Sequence, residues 1–273
     1  MRKKQLLLPI LFVALGGMAW RASVPAPLGP AQGTRIEGET TRRPATASSR
    51  SFRIATFNIH GCKGADGERD VDRVARCLES EKLDFVALNE VRGPRLWQDV
   101  DQAGRLGQEL GLAWLFAPNT RCWHHLDSGN GLLSALPVEF WQRIPLAPRA
   151  GRGYRNAALV GLRQGDRTIR VLLTHVTRHD EASREAELRE VINLFQSLAE
   201  PAILLGDLNS DADDPQMRRL LNSPGVSDPV GQVLGAKTPR RIDWIVARGL
   251  RCTDAGIRDD GASDHPLIWA ELE

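Results

Sequence analysis

From Phe52 onward the chain alternates short apolar runs with segments of helical period, and most of the apolar runs halt at or near an Asn, Asp, Glu or His. A short apolar run bounded by polar turn residues reads as a buried strand, whereas apolar residues three and four apart mark one face of a helix. Phe52 to Phe57 reads as a strand ending at Asn58. Val71, Val74, Ala75 and Leu78 predict a helix over 70–82. Phe85 to Leu88 is a strand ending at Asn89-Glu90, and a helix over 99–110 stops at Gly111. Strands follow over 113–117, 130–135, 138–144, 156–163 and 167–174, the last two joined by the hairpin signal Gln164-Gly165-Asp166. Leu188, Val191, Ile192, Phe195 and Leu198 predict a long helix over 181–199. Ala202 to Leu205 is a strand leading into Gly206-Asp207-Leu208-Asn209, and strands over 242–246 and 266–271 close the pattern. Strands and helices mixed in this way imply an α/β domain with mostly antiparallel strand neighbours and helices over the sheet faces.

Composition narrows the class. With 42% hydrophobic and 26% charged residues in 273, collagen-like, coiled-coil and fully disordered chains are excluded. No interior apolar stretch is long enough for a polytopic membrane protein. Residues 1–50 carry eight Lys/Arg and two Glu, whereas 51–273 carry 28 Lys/Arg and 32 Asp/Glu, so the body is mildly acidic. A whole-domain electrostatic grip on nucleic acid is therefore not indicated.

The first 50 residues stand apart. Arg2, Lys3 and Lys4 precede an apolar run from Leu6 to Trp20 with small residues at Gly17-Met18-Ala19. This pattern reads as an export signal over 1–20, with an uncleaved anchor as the alternative, and predicts an extracellular, periplasmic or membrane-tethered protein. Residues 21–50 are rich in Pro, Ala, Thr, Ser and Arg and read as a disordered linker, leaving 51–273 as the folded domain. Cys62, Cys77, Cys122 and Cys252 form no Cys-x-x-Cys pair, which argues against a zinc ribbon or a thioredoxin-like site. An exported chain would leave one or two disulfides open, and Cys77 fits a buried small hydrophobe in its helix.

Asn58, Glu90, His175, Asp207, Asn209, Asp243, Asp264 and His265 all fall at or just beyond an apolar strand, or in a turn beside one. Strand ends from distant parts of an α/β chain converge on one rim. Singly, each is explained by turn chemistry. Together they offer oxygen donors suited to a hard cation, acid–base partners and a neutral amide donor, the parts needed for attack of water on a phosphate ester.

The set resembles the endonuclease/exonuclease/phosphatase superfamily. The matching stretches, in the family's order, are Thr56-Phe57-Asn58-Ile59-His60-Gly61, Leu88-Asn89-Glu90-Val91, Gly129-Asn130-Gly131-Leu132-Leu133-Ser134, Leu173-Thr174-His175-Val176, Gly206-Asp207-Leu208-Asn209-Ser210, Arg241-Ile242-Asp243-Trp244-Ile245 and Ser263-Asp264-His265-Pro266-Leu267. The resemblance implies a four-layer α-β-β-α sandwich of two mostly antiparallel sheets and a metal-dependent phosphoesterase. Carried over by position, Glu90 is the main metal carboxylate, with Asn58 nearby and Asp264 contributing directly or through water. Mg²⁺ is the expected ion, with Mn²⁺ or Ca²⁺ as alternatives. His265, oriented by Asp243, acts at the water or the phosphate. Asp207 positions or deprotonates the nucleophile, Asn209 holds a phosphate oxygen, and His175 binds the phosphate or assists the leaving oxygen. Whether His265 or Asp207 is the base stays open. His60 reads as a loop residue rather than a ligand. Asn89 stands where many members have Gln, and His175 replaces the Tyr typical of abasic-site endonucleases, which lowers the DNA-repair reading.

The expected partner is a phosphoester substrate, either nucleic acid or a phospholipid head group, acted on by a monomer. A nuclease-like phosphodiesterase is the first reading. A sphingomyelinase-like phosphodiesterase or phosphatase is the second, and a non-catalytic binding module the third. Residues 121–178 hold nine Arg against three acidic residues. Arg149, Arg152 and Arg155 around Gly151, Gly153 and Tyr154 read either as a mobile basic loop for phosphates or as a solvated Arg-rich surface. Trp123, beside His124 and His125, could stack on a base, lie on a lipid surface or be covered by a loop.

Overall fold

The computed structural model describes residues 26–41, 51–94, 99–122, 125–126, 128–146 and 153–273. Two sheets stack face to face. One is six-stranded, in the spatial order Cys252–Arg258, Leu267–Leu272, Phe52–Asn58, Phe85–Arg92, Ser128–Ser134, Ala113–Pro118. The other is seven-stranded, in the order Val226–Ser227, Asp243–Arg248, Ala202–Asp207, Arg167–His175, Arg155–Gln164, Val138–Leu146, Ala31–Gly33. Neighbours are antiparallel except in two places, where Phe52–Asn58 runs parallel to Phe85–Arg92 and Arg167–His175 runs parallel to Ala202–Asp207.

Strand alternation sorts the core into layers. Phe52, Ile54, Ile203 and Leu205 point between the sheets, where they meet Val171, Leu173, Ile245 and Ile268. The alternate residues Ala55, Phe57, Val86 and Leu88 point outward onto Val74, Leu78 and Leu106 of the helices Val71–Ser80 and Gln102–Leu110. On the opposite face Leu172, Leu204 and Val246 pack on Leu188, Val191 and Phe195 of the helix Glu181–Ser197 and on Met217 and Leu220 of Pro215–Leu221. The result is an α-β-β-α sandwich, as the family resemblance implies. Each fully buried Leu, Ile or Phe stabilises it by about 1.5–3 kcal/mol before ordering entropy is charged.

Every described α-helix starts at an aspartate whose carboxylate accepts a backbone N–H of the first turn: Asp70, Asp101, Asp180, Asp214 and Asp228. Asp70 and Asp101 therefore sit outside their helices, and the second helix begins at Gln102 rather than 99. Pro215 and Pro229 each follow an Asp cap at the first helical position, a signal passed over in the strand–helix pattern. The edge strand Cys252–Arg258 also escapes that pattern, because Thr253, Asp254 and Gly256 leave it little apolar alternation. The hairpin at Gly165-Asp166 closes with Gln164 opposite Arg167.

The expected disordered linker over 21–50 needs correction where it is described. Ala31–Gly33 adds an edge strand against Val138–Leu146, Glu37 pairs with Trp114, and the Thr41 N–H donates to Gly111 O. Ile36 and Trp141 supply apolar cover, and the Trp141 indole donates to Arg35 O, so few large aliphatics suffice for a strap on a pre-formed surface. The expected export signal over 1–20 lies outside the described residues. Among these, no helix is long and apolar enough to cross a membrane. Cys62, Cys77 and Cys252 are free thiols, the first two buried.

Candidate active site

One edge of the sandwich collects the polar strand ends because of direction and register. Asn58 ends its strand beside Asn89 of the parallel neighbour, and His175 ends its strand beside Asp207. Asp243 opens a strand antiparallel to Ala202–Asp207 and sits directly opposite Asp207. Asp264 and His265 lie in the turn before Leu267–Leu272, which is antiparallel to Phe52–Asn58. Ends of some strands and starts of others thus meet at one rim.

Backbone strain marks the same place. Glu90 and Asn209 have φ of 56° and 47°, and His60 has 48°. Such values in non-glycine residues cost energy and persist where the surroundings over-determine them. Glu90 sits at a bulge between Leu88 and Val91 that turns its side chain to the rim. Gly206, at φ 135°, lets its strand pass Thr174 closely: a Cβ there would lie 1.9 Å from the Thr174 carbonyl oxygen.

Asp207 is the hub. Its Oδ1 accepts the Asn209 N–H at 2.9 Å and its Oδ2 accepts Asn58 Nδ2 at 3.0 Å. His175 Nε2 lies 3.4 Å from the same oxygen, and His265 Nε2 3.9 Å. Burial, then the neighbouring Asp243 carboxylate, pushes the Asp207 pKa up against the opposing His265 charge. His265 Nδ1 meets Asp243 Oδ2 at 2.7 Å. Burial alone would lower the His265 pKa, but the Asp243 hydrogen bond and charge, with Asp207 and Asp264, raise it to about 9. His175 behaves oppositely. Burial, reinforced by Arg155 and His265, holds it well below the ordinary imidazole range, so it is neutral at pH 7.

The remaining expected residues are placed as follows. Asn58 Nδ2 also lies 3.4 Å from Glu90 Oε1, and Asn209 Nδ2 donates to Val176 O at 2.8 Å. Asp264 is exposed. Its Oδ1 accepts from Ser263 Oγ at 3.2 Å and lies 3.1 Å from His60 Nδ1, without alignment for a hydrogen bond. Asn58, Glu90, His175, Asp207, Asp243 and His265 therefore gather in one cluster, with Asn209 behind and Asp264 at the outer lip. His60, expected as a bystander, faces Asp264. Arg155 belongs to the strand Arg155–Gln164 rather than to a loop. Arg149, Arg152, Trp123 and His124, like the side chains of Cys122 and His125, lie outside the described residues.

A buried amide chain escaped the sequence reading. Asn89 Oδ1 accepts the Asp207 N–H at 2.9 Å, and its Nδ2 donates to Asn130 Oδ1 at 2.8 Å and Thr174 O at 3.0 Å. Asn130 donates to Asn156 O, and Asn156 donates to Asn119 Oδ1 at 2.7 Å. The chain bolts the two sheets together directly under the rim. Its signal in the sequence was an Asn within each of three apolar strands, and only spatial neighbours explain it.

A cation also fits the donors. Among the described residues the one hydrogen bond to the Glu90 carboxylate is the long contact from Asn58, and the buried Asp243 Oδ1 meets no donor. Asp207, Asp243 and His265 place ligand atoms within 4.8 Å of one another. Oxygen-rich donors of this kind suit a hard divalent ion.

The model of the endonuclease/exonuclease/phosphatase family matches residues 55–265, which span every residue of this rim. The chain belongs to the endonuclease/exonuclease/phosphatase family. An endonuclease/exonuclease/phosphatase structure from Beutenbergia cavernae DSM 12333 superposes with a TM-score of 0.66 at 24% identity, over 82% of this chain and 72% of that one. A humanized D. rerio TDP2 carrying 14 mutations matches with a TM-score of 0.63 at 19% identity, over 82% and 100%. D. rerio TDP2 complexed with single-strand DNA product matches with a TM-score of 0.62 at 18% identity, again over 82% and 100%. No curated protein matches the chain. The structural likenesses bear on the fold, and membership makes this chain one of a family of phosphoesterases and nucleases.

Proposed function

We propose that the chain is a divalent-metal-dependent phosphodiesterase, nuclease-like, that drives water onto phosphorus. The carrying observation is the His265–Asp243 pair aimed at the Asp207, Asn58 and Glu90 cluster. Glu90 and Asn58, with Asp264 at the lip, would hold Mg²⁺. When bound, that ion would offset phosphate charge and make water more acidic.

The protein groups divide the remaining work by their proton affinities. Asp207, raised by burial and by Asp243, is suited to take a proton from the attacking water near neutral pH. His265, held protonated to about pH 9, is a poor base and a good donor to a non-bridging phosphate oxygen. Asp243 fixes the His265 ring so that Nε2 faces the substrate. Neutral His175 can hydrogen-bond without adding charge, and Asn209 orders the turn below. The D. rerio neighbour with single-strand DNA product supports nucleic acid as the first substrate class to try. The basic and apolar start of the chain supports export or a membrane tether.

The test is a panel. Single-stranded and plasmid DNA, RNA, sphingomyelin vesicles and a phosphomonoester are each incubated with Mg²⁺ and with EDTA. Metal-dependent cleavage of a nucleic acid is expected. Cleavage of sphingomyelin alone would transfer the reading to the lipid branch, and metal-binding calorimetry without turnover on any substrate would favour a binding module.

A further inference from the structure

The rim is divided between the two sheets. Asn58 and Glu90 stand on strands of the six-stranded sheet, and Asp264 and His265 in the turn before another of its strands. His175, Asp207 and Asp243 stand on strands of the seven-stranded sheet. Distances across the rim therefore depend on how one sheet is set against the other. The amide chain through Asn89, Asn130 and Asn156 crosses between the sheets and is one tie. Residues 26–41 supply another.

These residues, whose composition is that of a linker, are fitted to an edge of each sheet. Ala31–Gly33 lies on Val138–Leu146 of the seven-stranded sheet. Glu37 exchanges two backbone hydrogen bonds, at 2.8 and 2.9 Å, with Trp114 on the edge strand of the six-stranded sheet. The fit is close. A Cβ at Gly33 would lie 2.7 Å from Trp141 Nε1, and one at Gly38, whose φ is 72°, would overlap the Trp114 ring. At the other end the Leu28 N–H donates to Asn119 O at 3.1 Å, and Asn119 Oδ1 accepts Asn156 Nδ2 at 2.7 Å. An unbroken run of hydrogen bonds thus joins Leu28 to the Asp207 N–H through Asn119, Asn156, Asn130 and Asn89.

We propose that residues 26–41 are a positioning strap, which holds the two halves of the rim in the register that hydrolysis requires. The inference rests on the phosphodiesterase reading above and adds how its geometry is kept. Members of a buried polar network polarise and orient one another, so loosening one end is felt along it. A displacement of about 1 Å from a change far from the reacting atoms can cost on the order of a hundredfold in rate. Asn58, Glu90 and Asp264, proposed to hold the metal, all come from the six-stranded sheet, whereas Asp207, proposed to take the proton, comes from the other. Undocking the strap should therefore slow the chemistry and leave the metal site whole.

The experiment uses the full chain as wild type, Gly38→Ala, Gly33→Val, the two combined, and Gly29→Ala, a strap position where an added Cβ meets nothing within 4 Å. Backbone hydrogen exchange follows Glu37 and Trp114 for docking, Asp207 for the rim, and Leu204 on the same strand for global opening. Mg²⁺ affinity is measured by calorimetry, and kcat and KM on bis(4-nitrophenyl) phosphate. The combined variant should expose the Glu37 and Trp114 amides and speed Asp207 exchange at least about tenfold beyond any change at Leu204. It should lower kcat about ten- to a hundredfold, with KM and Mg²⁺ affinity within about twofold of wild type. The single variants should move in the same direction, and Gly29→Ala should match wild type. Exposed strap amides with Asp207 exchange and kcat at the wild-type level would overturn the strap. A Mg²⁺ affinity falling in step with kcat would overturn it too, because it marks general loosening. A strap that stays docked in the combined variant would overturn the close fit on which the inference stands. Wild type inert on the diester would remove the phosphodiesterase reading and leave Asp207 exchange to decide whether the strap orders the rim.

Discussion

His265 Nδ1 lies 2.7 Å from Asp243 Oδ2, while Asp243 Oδ1, buried beside it, meets no donor among the described residues. One oxygen thus commits the imidazole to a single orientation and the other keeps its charge unspent toward the rim. Asp243→Asn should release the raised His265 pKa from about 9 toward the usual imidazole range. Because the folded value is the higher one, the stability that this histidine contributes is fully present below about pH 6.5 and is lost as pH rises through about 9. NMR titration of His265 in metal-free wild type and Asp243→Asn checks the shift. An unchanged midpoint would remove Asp243 as its cause.

Glu187 gives a second pH signature, away from the groups proposed for proton transfer. It is buried on the helix Glu181–Ser197, where its Oε2 accepts the Thr177 N–H at 2.7 Å. Burial raises its pKa to about 7 against that hydrogen bond and the Arg155 charge. Its raised value means that folding is favoured by the protonated form, so stability falls as pH rises from about 4.5 to about 7. Glu187→Gln should flatten that slope, by an amount on the order of 3 kcal/mol across the window. Urea melts at several pH values measure it. A slope identical to wild type would assign the pH dependence elsewhere.

The rim's residues were legible because turn chemistry and strand period are local: Asn58 ends an alternating strand, and Asp207 and Asp243 each lie beside an apolar run of four residues. What joins them was not local. Asn89, Asn130 and Asn156 read as polar interruptions of apolar strands, and only the face-to-face packing of two sheets makes them partners. Residues 26–41 misled for another reason. Their composition is that of a solvated segment, and their order comes from contacts with Trp114 and Trp141 across the finished domain. The helices at Pro215 and Pro229 were legible in principle from their Asp-Pro starts.

Asn89→Ala should cost about 2–4 kcal/mol, because it strands the buried Asp207 N–H, Asn130 Oδ1 and Thr174 O together. Gln at this position, as in many family members, should recover part of the loss. Chemical denaturation of both variants decides it, and a cost below about 0.5 kcal/mol for Ala would show the amide chain to be dispensable.

Gly206→Ala should be worse than a loss of flexibility. The added methyl meets Thr174 O and the φ of 135° is unfavourable for any L side chain, so more than about 3 kcal/mol or failure to fold is expected. A soluble variant with wild-type Tm would contradict the close strand approach on which the His175–Asp207 placement depends.

The most direct test is turnover of a phosphodiester by wild type, Glu90→Gln and His265→Ala, each titrated with Mg²⁺ and checked for Tm. Glu90→Gln should need at least about tenfold more Mg²⁺ for half-maximal rate. His265→Ala should lose about a thousandfold or more in kcat while staying folded, with Tm lowered only by the loss of the Asp243 pair. Near-wild-type turnover by His265→Ala, or a Mg²⁺ titration unmoved by Glu90→Gln, would contradict the assignment of this rim as a metal-dependent phosphodiesterase site.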